Sequence, residues 1–235
     1  MAGQNWAPAQ ICDGAVGAMV LAGGQSRRMG TNKALLPFHE STFLETVLGE
    51  LAAFPEVFVS ADVADRYRKL GLSAVPDLIP GIGPLGGIYS GLSACRSQWL
   101  LVTTCDMPFF SHELAEYLVE GLSEEIDAAA LVTRAGRVYP ICAVYRKTAL
   151  SAVRRQIGAG DYRVTALLDQ LRVRFLSLRH TVFPDEILTN VNRPEDYRAL
   201  MKEGSKPAVL AVSGIKNSGK TTLIAHLLPL LKASG

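Results

Sequence analysis

Short apolar runs alternate with amphipathic helical stretches along most of this chain, and that alternation leaves few folds open. Strands are expected at 15–22, 57–60, 73–76, 99–104, 128–133, 138–145 and 173–177, and helices at 42–54, 63–70, 85–94, 111–122, 147–157, 163–169 and 194–202. Buried-looking strands separated by helices predict an α/β domain of three layers, a mostly parallel sheet with helices on both faces. Ligands in such sheets bind at the carboxyl ends of the strands. Polar clusters fall at those ends. A glycine-rich basic loop follows the first strand, Ser60 to Asp62 ends the second, Asp77 follows the third, and Cys105-Asp106-Met107-Pro108 follows the fourth. They predict one composite site along one edge of the sheet.

A net charge of +2 gives no strong field to draw nucleic acid or an anionic membrane, so neither is expected as a partner. No apolar run approaches the ~18–20 residues that span a bilayer, and residues 1–14 read as a flexible leader without a basic or apolar signal segment. The cysteines, Cys12, Cys95, Cys105 and Cys142, form no C-x-x-C pair and are expected as reduced, mostly buried thiols of a cytoplasmic protein. The histidines are scattered, with no zinc-binding spacing.

The loop after the first strand reads Leu21-Ala22-Gly23-Gly24-Gln25-Ser26-Arg27-Arg28-Met29-Gly30, with Lys33 following. Gly23 and Gly24 let backbone N–H groups approach a ligand without an intervening Cβ. Arg27, Arg28 and Lys33 can pair with phosphate oxygens, arginine bidentately and lysine as a point charge. The plain alternative is a surface turn with solvated cations. Asp106, just past an apolar strand and near Pro108, stands where a carboxylate could hold Mg²⁺, which needs only one or two carboxylates plus substrate phosphates. Its bland counterpart is a turn or helix-capping aspartate, and Asp77, before a proline-glycine loop, has the same alternative. The glycines of 81–91 suit either a ligand-facing helix N-terminus or close helix–sheet packing, and Asn190 and Asn192 also fit turns.

The full string L-A-G-G-x-S-x-R-M-G-x-x-K resembles the nucleotidyltransferase superfamily that handles sugar nucleotides and cofactors, and its L-A-G-G form resembles molybdenum cofactor guanylyltransferases. The likeness continues through Pro80-Gly81-Ile82-Gly83-Pro84-Leu85-Gly86-Gly87-Ile88 and Cys105-Asp106-Met107-Pro108 to Asn190-Val191-Asn192-Arg193-Pro194-Glu195-Asp196. It implies a Rossmann-like nucleotidyltransferase domain over 15–203 that transfers GMP from GTP to molybdenum-bearing molybdopterin and releases pyrophosphate. Leu21, Ala22, Gly23, Gly24, Lys33, Ser60, Asp77 and Asp106 would then bind GTP, with Ser60 where the family often has asparagine. Arg27, Arg28, Lys33 and Asp106 would be catalytic, Asp106 would hold Mg²⁺, and Asn190 and Asn192 would face the pterin. Molybdenum-cofactor biosynthesis and acceptor proteins are the partners implied.

A polar stretch at 204–207 reads as a linker, and a strand is expected after it. Gly214-Ile215-Lys216-Asn217-Ser218-Gly219-Lys220-Thr221 then matches the P-loop, with Gly214, Gly219 and Lys220 cradling phosphates and Thr221 reaching Mg²⁺. The segment 208–235 resembles the start of the GTP-binding adapter of molybdopterin-guanine dinucleotide biosynthesis. With one strand, one helix and no later Walker-B aspartate it reads as an incomplete domain of a truncated fusion. Two rival functions are a cytidylyltransferase or other small-molecule nucleotidyltransferase, and a non-catalytic GTP-binding adapter.

Overall fold

A computed structural model describes residues 15–23, 32–62, 67–68, 71, 74–203 and 223. The chain divides into two compact units, Met1–Tyr197 and Arg198–Gly235, and the sheet with its covering helices belongs to the first. Gly24, Arg27 and Arg28, most of the helix expected at 63–70, and the P-loop positions Gly214, Gly219, Lys220 and Thr221 lie outside the described residues.

The main strands are β1 (Val16–Leu21), β4 (Val57–Ala61), β5 (Ala74–Pro76), β6 (Trp99–Thr104), β7 (Ala128–Val132), β8 (Val138–Arg146) and β9 (Val173–Ser177). They form one seven-stranded sheet in the order β5-β4-β1-β6-β8-β7-β9. Every neighbouring pair is parallel except those made by β8, which runs antiparallel to β6 and β7. The reversal has a local cause. Only 133–137 separate β7 from β8, and a parallel crossover needs about a dozen residues or more. Gly136, at φ 82°, supplies the left-handed residue of the turn, and Thr133 N–H donates to the Arg137 carbonyl at 2.9 Å.

Helices α1 (Phe43–Glu50), α2 (Pro84–Ala94), α3 (His112–Glu120), α4 (Leu150–Gly158) and α5 (Val164–Leu168) cover the sheet, and α6 (Pro194–Glu203) follows. Period-two alternation sorts the core into two layers. Val16, Ala18 and Val20 of β1 pack with Leu44 and Val47 of α1 and Leu114 and Leu118 of α3. Met19 and the β6 residues Leu100 and Val102 pack on the other side with Leu85, Ile88 and Leu92 of α2 and Val153 of α4. This is the expected α/β/α arrangement.

Several element ends shift by one to three residues from the sequence reading, and two differences are larger. The helix expected over 42–54 ends at Glu50, and tight turns carry the chain to Phe54, whose N–H bonds the Leu51 carbonyl at 3.0 Å. Pro55 follows, and the residue before a proline is disfavoured in a helix. A two-stranded ribbon, β2 (Pro37–Phe38) with β3 (Ser41–Thr42), also stands ahead of α1, turning at His39 with φ 52°. Thr42 then opens α1 with a reciprocal capping box to Glu45.

Candidate active site

β1 is the switch point of the sheet: the chain moves from it to β4 on one side, and β6 flanks it on the other. A crevice at the carboxyl end of β1 follows from that topology. The register sets Ser60, Leu21 and Thr104 level across β4, β1 and β6. The chain segments leaving these strands therefore start from one line. Ala22 N–H bonds the Ser60 carbonyl at 3.0 Å, and Cys105 N–H bonds the Leu21 carbonyl at 3.2 Å. Tyr67, fully buried, donates its hydroxyl to the Ala22 carbonyl at 2.9 Å and fixes the start of the glycine loop.

Lys33 lies on a 3-10 turn, Lys33–Leu35, capped by the Asn32 side chain. Its ammonium donates to Asn192 Oδ1 at 2.7 Å and lies 3.5 Å from Asp106 Oδ2. The other Asp106 oxygen accepts from the Thr104 hydroxyl. Val191 N–H bonds the Asp106 carbonyl at 2.9 Å, so the segment carrying both asparagines is tied to the turn after β6. Asp196 holds that segment from behind, accepting from Asn192 N–H at 3.0 Å and Arg193 N–H at 2.8 Å. Lys33, Asp106 and Asn192 are thus brought together from distant parts of the chain.

On the β4 side, Ser60 donates its hydroxyl to Asp77 Oδ1 at 3.0 Å. Desolvation pushes the Asp77 carboxyl above its ordinary value, the Ser60 hydrogen bond opposes this, and the charge of Asp62 adds to the rise. Ser60 is buried against α2. A Cβ at Gly87 would come within 2.5 Å of Leu21 Cδ2 and 2.8 Å of Ser60 Oγ, so only glycine lets α2 pack this closely behind the pair. Packing therefore explains Gly87 of the 81–91 segment.

The donor chemistry at Asp106 suits a hard cation. Among the described residues no group of three or more His, Cys, Asp or Glu side chains could hold a metal ion. A carboxylate that adds one oxygen to those of bound phosphates fits Mg²⁺ arriving with a nucleotide. The free thiols of Cys95, Cys105 and Cys142 are buried, and burial pushes Cys105 and Cys142 up to about 12 and Cys95 up to about 11, which disfavours the thiolate. Among the described residues no helix is long and apolar enough to cross a membrane.

Gly23, Lys33, Ser60, Asp77, Asp106, Asn190 and Asn192 therefore all lie near the carboxyl edge of the sheet or on the segment stapled to it. Thr104, Tyr67 and Asp196 complete the arrangement, and the sequence reading gave none of them a role at the site. Thr104 carried a signal in its place two residues before Asp106, and Asp196 in its i+4 spacing from Asn192. Tyr67 carried none, because nothing local points a tyrosine at a carbonyl 45 residues away. A cleft of about 420 Å³ opens beside Asn192, bordered by Asn190, Thr133, Arg137, Tyr139 and Leu188.

Residues 18–175 match the family model of the MobA-like NTP transferase domain. The chain is 40% identical over 183 residues to a protein of Pelotomaculum thermopropionicum named "Probable molybdenum cofactor guanylyltransferase", covering 76% of this chain and 88% of the relative. A relative of the same name from Carboxydothermus hydrogenoformans is 31% identical, covering 78% of this chain and 93% of its own length. Among solved structures, molybdopterin-guanine dinucleotide biosynthesis protein A from Archaeoglobus fulgidus superposes with a TM-score of 0.69 at 26% identity, covering 80% of this chain and 98% of that one.

Proposed function

The chain belongs to the MobA-like NTP transferase family and is a nucleotidyltransferase; on that premise we propose that it is a molybdenum cofactor guanylyltransferase, joining GMP from GTP to molybdenum-bearing molybdopterin. The observation that carries the reading is the convergence of Lys33, Asp106 and Asn192 at the switch point of the sheet, between Ser60–Asp77 on one side and an open cleft on the other.

In the reaction, an ionised oxygen of the pterin's terminal phosphate attacks the α-phosphorus of GTP. A new P–O bond forms, the bond to the α,β-bridging oxygen breaks, and pyrophosphate leaves with the electron pair. A phosphate monoester has a second pKa near ~6, so the nucleophile is already ionised at neutral pH and no protein base is required. The protein's work is positioning and charge compensation. Lys33 exchanges its contacts to Asp106 and Asn192 for phosphate oxygens, joined by Arg27 and Arg28 from the glycine loop. Leu21, Ala22, Gly23 and Gly24 line the nucleotide side, and Asp77 accepts from the N–H edge of guanine while Ser60 holds its carboxylate in place. Asp106 would hold Mg²⁺, which when bound supplies charge neutralisation on the phosphates. Asn190 and Asn192 face the pterin.

The same proposal includes a 15–203 catalytic domain, a linker at 204–207 and the beginning of a GTP-binding adapter over 208–235. It also includes a cytoplasmic location and hand-over of product to molybdenum-cofactor biosynthesis and acceptor proteins. Release of pyrophosphate with GTP and molybdopterin, and little with CTP, is the expected result. Preferential turnover of CTP would assign a cytidylyltransferase, and GTP binding without any release would assign a binding module.

A further inference from the structure

One fully buried phenol stands between the two shoulders of the glycine-basic segment. Tyr67 donates its hydroxyl to the Ala22 carbonyl at 2.9 Å, and Asn32 Nδ2 approaches the same oxygen as a donor at 3.5 Å. A phenolic oxygen can give one hydrogen and accept another, so both capacities are used. Ala22 precedes Gly23 and Gly24, Asn32 precedes Lys33, and Arg27 and Arg28 lie between them in the sequence.

Packing alone does not call for this hydroxyl. The Tyr67 ring belongs to the core cluster that also holds Ala22, Ala34 and Ala61, a place that a phenylalanine ring would also fill. Burying a hydroxyl is unfavourable unless it is hydrogen-bonded, and the groups this one bonds are the two shoulders of a single segment. Each shoulder is also fixed to a different part of the site. Ala22 N–H donates to the Ser60 carbonyl at 3.0 Å, which ties it to the strand carrying the Ser60–Asp77 pair. Asn32 Oδ1 accepts from Ala34 N–H at 3.2 Å and caps the turn that bears Lys33, whose ammonium reaches Asn192 at 2.7 Å and Asp106 at 3.5 Å. Tyr67 therefore joins the nucleoside half of the site to its phosphate half. Shoulders free to separate would leave the segment more conformers to lose on closing round an anion.

We infer that Tyr67 is a positioning residue for the transfer reaction: its hydroxyl fixes the spacing between the backbone at Gly23 and the Lys33 ammonium, and so sets the grip on the triphosphate without touching it. The inference rests on the reading of the segment from Gly23 to Lys33 as the phosphate-binding side of a guanylyl-transfer site.

Tyr67→Phe deletes the hydroxyl and keeps the ring. Asn32→Ser removes the amide donor and keeps a side-chain oxygen to cap the turn. Transfer of label from α-labelled GTP to molybdopterin is followed on the full chain, with added pyrophosphate and added guanosine as separate inhibitors. Pyrophosphate reports the phosphate half and guanosine the nucleoside half. In Tyr67→Phe the inhibition constant for pyrophosphate is expected to rise about tenfold and kcat/KM for GTP to fall about tenfold, while the constant for guanosine stays within about twofold of wild type. Asn32→Ser should move the same quantities in the same direction. The double variant should be no more than about twofold worse than Tyr67→Phe, because both substitutions act on one network. Unchanged pyrophosphate inhibition in Tyr67→Phe, equal weakening of both inhibitors, or fully additive losses in the double variant would each overturn the inference; equal weakening is what a merely structural tyrosine predicts. Should Tyr67→Phe fail to fold, the split between the two inhibitors in Asn32→Ser decides. Failure of the parent reading looks different: the wild type itself would then transfer no label from GTP, and the inference would fall with it.

Discussion

At the scale of single residues, the proposed chemistry rests on two polar groups on either side of β1, Lys33–Asp106–Asn192 and Ser60–Asp77. Lys33 is held by Asp106 and Asn192, so it is already oriented before a substrate arrives. Lys33→Ala should lower kcat/KM by about a hundredfold to a thousandfold, the range seen when one transition-state donor is removed, with unfolding in urea little changed because the side chain is not in the core. Steady-state pyrophosphate release checks the first and a denaturation curve the second. Asp77 gives a pH signature. Its carboxyl is raised by burial and lowered by the Ser60 hydroxyl. If Asp77 accepts from guanine as proposed, GTP affinity should therefore fall on acidification at a pH above that expected for a free aspartate, as this carboxylate protonates. Ser60→Ala removes the lowering contact and should move that fall to still higher pH, read from GTP titrations across the acid range. An unmoved acid limb in the variant would contradict the role given to the pair.

Elements show why glycine spacing and strand ends matter more than any motif alone. α2 approaches β1 and β4 through Gly87, which touches Leu21 and Ser60 where a methyl would overlap them. Gly87→Ala should destabilise the fold by about 1–3 kcal/mol and raise the KM for GTP, because the displaced atoms include the hydroxyl that supports Asp77. At the far edge, Asp127 ties β7 to β9. It accepts from Arg172 Nε at 2.9 Å and Nη2 at 3.0 Å, and from the Thr148 hydroxyl at 2.8 Å. The Arg172 guanidinium, foremost, holds the Asp127 carboxyl far below the ordinary carboxylate range. A lowered folded-state value means that this stabilisation is complete above the unfolded value near ~4 and fades as pH falls towards the folded one. With Arg172 largely exposed, Asp127→Asn should cost about 1 kcal/mol at pH 7. The difference from wild type should shrink below about pH 4, as urea midpoints at several pH values would reveal.

Across the whole molecule, the layer architecture and the site edge were legible because both follow from local pattern. Two of the strands, Trp99–Thr104 and Val173–Ser177, coincide with the sequence expectation. Ser60, Asp77 and Asp106 were readable as polar residues ending apolar runs. The antiparallel β8 was readable in principle from the short link at 133–137, yet its apolar content matches that of a parallel core strand. The Lys33–Asn192 contact was not legible as a bond, since 159 residues separate the partners and only the fold closes that distance. The division into Met1–Tyr197 and Arg198–Gly235 bears on the proposal that catalysis resides in 15–203. A chain ending after Glu203 is expected to retain GTP-dependent pyrophosphate release within about threefold of the full chain, since a threefold change is only about 0.65 kcal/mol of barrier. Complete loss would make residues 208–235 part of the working enzyme.

On the proposed function, the Lys33–Asp106–Asn192 crevice transfers guanylate to a pterin phosphate. Pyrophosphate release measured with molybdopterin as acceptor, GTP and CTP in parallel, in wild type and Asp106→Ala, tests it most directly. Release with GTP is predicted to stand well above that with CTP, and to be almost completely lost in Asp106→Ala. Preference for CTP, or undiminished GTP turnover in Asp106→Ala, would contradict it.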